Sequence, residues 1–103
     1  MGSAMIRLYS GIVSPAGNIP APKEVEEGIY AGYAWVNHAR YPAAIFIKNG
    51  VLEANLLGYS GAPFTGQELT VEILQGLPES NKLHAKEAVK AYINGLRRHN
   101  GMW

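Results

Sequence analysis

Val51-Leu52-Glu53-Ala54-Asn55-Leu56-Leu57-Gly58-Tyr59 is an apolar run that carries one carboxylate, Glu53, and one amide, Asn55. A carboxylate on such a strand can accept a proton from a bound hydroxyl, which makes Glu53 the first candidate for chemistry in this chain. The plainer reading is a solvated strand acid beside a turn. Other chemistries lack their residues. The chain has no cysteine, so disulfides, thiolate metal sites and cysteine nucleophiles are excluded. His38, His84 and His99 have no metal-ligand spacing. There is no P-loop and no dinucleotide fingerprint.

The elements that would hold Glu53 can be read from the same chain. A length of 103 residues, with 48% hydrophobic and 17% charged residues, suits one small globular domain. A formal net charge of +1 provides no global field for nucleic acid or an anionic membrane, so any anion must be met locally. No apolar run reaches the ~18 residues of a transmembrane helix. Lack of cysteine fits the cytoplasm. Residues 1–4 read as a vector-derived leader ahead of a second start at Met5, which leaves 5–103 as a single domain.

Alternation predicts strands over residues 6–13, 28–36, 41–48, the Glu53 run and 67–76. Pro15, Pro20 and Pro22 make residues 14–23 a surface loop without a ladder. Glu24, Glu26 and Glu27 read as its solvated flank. In the strand Gly28–Val36, Ile29, Ala31, Tyr33 and Trp35 share one face. Tyr30, Gly32, Ala34 and Val36 share the other, whose mostly small residues suit a concave sheet. Residues 37–40 read as a turn. Asn49-Gly50 predicts a two-residue type I′ hairpin that pairs the third strand with the Glu53 strand. A helix is expected over about residues 81–99, capped by Ser80 or Asn81. Leu83, Ala88, Val89, Tyr92, Ile93 and Leu96 form its apolar stripe. Arg97, Arg98 and His99 suit its C-terminal dipole. The order β-β-β-β-β-α predicts a small, closed antiparallel barrel with one terminal helix.

Three segments together resemble the riboflavin kinase domain, which occurs alone or as the C-terminal half of bifunctional bacterial FAD synthetases. They are Leu52-Glu53-Ala54-Asn55-Leu56-Leu57 with Tyr59, then Phe64-Thr65-Gly66-Gln67-Glu68-Leu69-Thr70-Val71-Glu72-Ile73-Leu74, then Leu77-Pro78-Glu79. The resemblance extends over about residues 6–95. It implies a six-stranded Greek-key barrel with a C-terminal helix, one strand more than the alternation alone provides. It also implies transfer of the γ-phosphate of ATP to the 5′-hydroxyl of riboflavin, giving FMN, with Mg²⁺ as the ion. Glu53 then stands where the family keeps its general base.

The resemblance also shows what has changed. The family's glycine-rich loop ends in Gly-Φ-Pro-Thr-Ala-Asn, Φ being apolar, and its Thr and Asn hold metal and phosphate. Here the motif is Asn18-Ile19-Pro20-Ala21-Pro22-Lys23 after a short loop. Ala21 has no oxygen for a metal, and Lys23 cannot ligate one. Asn49-Gly50 trims a longer family connection. Asn55 replaces the His that usually follows the base, and Leu77 replaces the Arg of Arg-Pro-Glu. The expected site is therefore Glu53 as base, Lys23 and Asn18 toward a nucleotide or phosphate, and Tyr59, Phe64 and Leu83 toward riboflavin or FMN, with no metal ligand. The expected function is flavin binding, with or without phosphorylation by ATP. The alternative is a non-catalytic interaction or oligomerisation module using Tyr9, Trp35 or Trp103.

Overall fold

The computed structural model describes residues 7–61, 63–78 and 82–100, the side chains of 82, 83 and 96–100 excepted. Its strands are β1 (Arg7–Ile12), β2 (Ile19–Pro20), β3 (Gly28–Val36), β4 (Ala39–Lys48), β5 (Val51–Leu56) and β6 (Glu68–Leu77), followed by the helix α1 (Lys82–Asn100). They form one antiparallel sheet in the order β1-β6-β3-β4-β5-β2. Tight hairpins join β3, β4 and β5, and β6 returns to lie beside β3, which is a Greek key. β1 and β2 are the outer strands, and they meet to bring the barrel nearly to closure. Gly11 makes this seam possible, since a Cβ there would sit 3.0 Å from the Cβ of Ile19. This is the mainly β, Greek-key barrel with a C-terminal helix that the sequence implies. No helix among the described residues is long and apolar enough to cross a membrane.

Two local expectations need correction. The proline-rich stretch does hold a strand: Ile19 pairs with Leu52 and Pro20 with Val51. Pro20 is tolerated because β2 is an outer strand, where a missing N–H breaks no second ladder. Also, the turn before β4 is two residues and not four. Asn37 and His38 take φ of 53° and 66°, and Ala39 already pairs with Val36. The helix follows the expected range within a residue at each end. Its proposed caps, Ser80 and Asn81, lie outside the described residues.

Packing divides into two layers. Inside the barrel, Ile19, Val36, Ile45, Leu52, Leu69 and Val71 are fully buried. Ala34, Val36 and Tyr30 of β3 face this interior, as the small face of the strand predicts. Gly32 has no room for a side chain, because a Cβ would collide with the carbonyl oxygen of Glu72. Outside, Ile29, Ala31 and Ala44 are covered by Ala85, Val89 and Ile93 of α1. Opposite Ala31 and Gly32 the register of β6 slips from Gln75 to Ile73, leaving Leu74 as an extra residue. A bulge re-aims the residues around it. As a result both Leu74 and Leu77 pack on the helix side, and Leu77 reaches the groove described next.

Candidate functional site

Glu53 is the third residue of β5, between the buried Leu52 and Ala54. Alternation therefore turns it to the outside of the barrel, where it is half-buried. The hairpin ahead of it sets its partner. Asn49 and Gly50 have φ of 54° and 78°, as a type I′ turn requires. Counting back from that turn, Lys48 pairs with Val51, Ile47 with Leu52 and Phe46 with Glu53. An acid and an aromatic ring thus stand side by side on one surface.

The shortened loop is tied to this hairpin. The Asn49 N–H donates to Glu27 Oε2 at 2.7 Å. The Ala21 N–H donates to the Gly50 carbonyl at 3.0 Å. The Tyr30 hydroxyl donates to the Glu26 carbonyl at 2.6 Å, which steadies the approach to β3. The result is a groove of about 680 Å³ beside Glu53. Ile29, Phe46, Val51, Leu77 and Pro78 make its apolar wall; Asn18, Glu27, Lys48 and Glu53 supply its polar groups. An apolar wall with a few convergent polar groups is the usual form of a small-molecule site.

The sequence candidates separate in space. Asn18 joins Glu53 in the groove. Its Oδ1 accepts the Ser14 hydroxyl at 3.0 Å, which leaves its amide N–H groups for a ligand. Lys23 is exposed and lies outside the groove. Tyr59 and Phe64 form a different cluster: Tyr59 meets Tyr41 edge-on at 5.3 Å and Phe64 at 5.5 Å. Both rings pack partly on the barrel interior. Tyr59 also borders a second groove of about 640 Å³, with Leu57, His84, Lys86 and Lys90. The side chain of Leu83 lies outside the described residues. Sequence reasoning missed Glu27, Phe46 and Lys48 as lining groups, whereas the resemblance set Leu77-Pro78 at the position that the family keeps beside its flavin. Phe46 and Lys48 were within reach, since a two-residue hairpin fixes register by counting alone. Glu27 carried no signal beyond its acidity.

A metal at the family's position does not fit these residues. Ala21 presents a methyl group that packs partly against the core, and its N–H is committed to Gly50. Lys23 presents a cation. Among the described residues, no cluster of three or more His, Cys, Asp or Glu could hold a metal ion.

The family model described as "Flavokinase: Riboflavin kinase" matches residues 10–95. No curated protein matches the chain.

Proposed function

The chain belongs to the riboflavin kinase family, and on that premise we propose that its groove beside Glu53 binds a flavin without phosphorylating it. One observation carries the reading: Glu53 and Asn18, far apart in sequence, line one groove together with the apolar side chains of Ile29, Phe46, Val51 and Leu77. A flavin joins a flat apolar ring to a chain of hydroxyls. The ring suits Ile29, Phe46 and Leu77. The hydroxyls suit Glu53 as acceptor and the Asn18 amide as donor.

Phosphoryl transfer asks for more. A primary alcohol needs a base, and the transferred phosphoryl group needs its charge offset by an ion and backbone N–H groups. Glu53 meets the first need. Residue 21 and residue 23 do not meet the second, and the loop ahead of them is only Ser14-Pro15-Ala16-Gly17. In this reading Glu53 orients a hydroxyl and takes no proton from it. A cysteine-free chain that binds a flavin also suits the cytoplasm.

The test is titration of riboflavin with folded protein, followed by incubation with ATP and Mg²⁺. Saturable quenching of flavin fluorescence is expected, with no FMN above a protein-free control. Absence of quenching would overturn the binding reading. FMN formation lost in Glu53→Gln would overturn the non-catalytic one.

A second reading has its own observation. Leu8 and Ile12 on β1 are 52% and 61% exposed, apart from the cluster that the described side chains of α1 cover. Such residues favour an interaction module. Concentration-dependent sedimentation without flavin binding would support it.

A further inference from the structure

Trp35 belongs to neither packed layer. It is half-buried near the end of β3, yet the interior cluster and the cluster under α1 both form without it. Its side chain borders instead a depression of about 500 Å³, shared with Leu8, Glu68, Thr70 and the Asn37-His38 turn. Ile29 lines the groove beside Glu53 from the other end of β3. At ~3.3 Å per residue, the strand between Ile29 and Trp35 sets the two depressions about 20 Å apart. The register explains what surrounds the indole. Trp35 pairs with Thr70 on β6 and with Arg40 on β4. Glu68 and Glu72 stand two residues either side of Thr70, so alternation brings both carboxylates to the indole's face of the sheet. Arg40 leans away, its guanidinium 4.2 Å from the centre of the Tyr33 ring. The depression thus has the carboxylate of Glu68 and no lysine or arginine among its described lining residues. Neither Glu68 nor Glu72 has an ion-pair partner among the described residues.

From this arrangement we propose that the depression at Trp35 is a second binding site, which takes a small organic cation of the alkylammonium class. The face of an indole attracts a cation through the quadrupole of the ring, more strongly than a phenol or phenyl ring does. Glu68 supplies the opposite charge, and the 52% exposed Leu8 supplies apolar contact for the carbon substituents. Arg40 shows the same chemistry on the neighbouring Tyr33. By settling there it leaves Trp35 to a ligand. An anion would meet two carboxylates on this face, and a neutral ligand would forgo the attraction of both ring and acid. The site stands apart from the groove beside Glu53 and does not depend on flavin binding there.

Choline and its uncharged carbon isostere, dimethylbutanol, are titrated separately into the whole chain carrying Trp103→Phe. The chain's other tryptophan is Trp35, so the remaining indole N–H signal in a proton–nitrogen correlation spectrum reports on it. Choline is expected to shift that signal saturably and to bind about fivefold tighter than the isostere. Glu68→Gln, at an exposed position, is expected to weaken choline about threefold and to leave the isostere unchanged. No saturable shift with choline, in a folded protein, overturns the site. Equal affinity for choline and the isostere overturns its preference for a cation. Choline binding unchanged in Glu68→Gln overturns the role of Glu68. Displacement of choline by riboflavin would merge the two depressions into one site and overturn the proposal of a second.

Discussion

Glu53 and Phe46 are cross-strand partners on the outer surface of the barrel, and the pair defines what the groove can hold. Phe46 is half-buried and also packs toward α1. Replacing it by Leu keeps most of its apolar volume and removes the ring face. Aromatic stacking contributes on the order of 1 kcal/mol beyond burial. Phe46→Leu should therefore weaken riboflavin about fivefold, with little change in melting temperature, as read by fluorescence titration beside a thermal scan. Unchanged affinity would remove Phe46 from the site. At this scale the sequence made legible the register that sets Glu53 opposite Phe46 and the loss of oxygen at residue 21. It was uninformative about Tyr59 and Phe64, because an aromatic residue near a turn reads the same whether it faces a ligand or its neighbours. Here the neighbours are each other and Tyr41.

The described residues include two type I′ hairpins, which allows an internal comparison. Asn49-Gly50 has the favoured residues and was legible at once. Asn37-His38 was not, because His is an unusual choice for a left-handed position, and the turn was read as four residues long. His38 holds φ of 66°, where an L-residue is disfavoured by about 1–2 kcal/mol relative to the right-handed region. His38→Gly should raise stability by about 0.5–1 kcal/mol, measured as a higher denaturant midpoint at constant slope. A lower midpoint would mean that the imidazole makes a compensating contact. β2 was hidden for another reason. Prolines argue against a ladder only where both edges of a strand are paired, and nothing in a sequence says which strand will be outermost. The bulge at Leu74 was equally silent, although it brings Leu77 to the groove.

The whole molecule is held by two layers and one seam. β1 and β2 meet without extending the ladder, and the loop after β2 closes the far end of β1. There partial burial, the negative charge of Glu24 and a hydrogen bond to its carboxylate raise the Tyr9 pKa, against an opposing pull from Arg7. A phenol whose folded pKa lies above its unfolded value of about 10 stabilises the neutral form of the fold. That contribution is fully present below about pH 10 and is lost as pH rises through the folded value. Stability should thus fall on the alkaline side, and Tyr9→Phe should flatten that limb in melts taken across pH. An unchanged alkaline limb would show that the phenol does not report on the seam. The Greek-key order was legible through family resemblance; alternation alone yielded strands without their partners, because pairing of β6 with β1 and β3 is non-local.

Placement of the flavin is best tested by an amide proton–nitrogen correlation spectrum recorded while riboflavin is added. The expected result is saturable shifts concentrated at Asn18, Glu27 to Ile29, Phe46 to Glu53 and Leu77, with little change at Tyr59, Phe64 or Lys90. Shifts centred instead on Tyr59 and the flank of α1, or none at all, would contradict a flavin site beside Glu53.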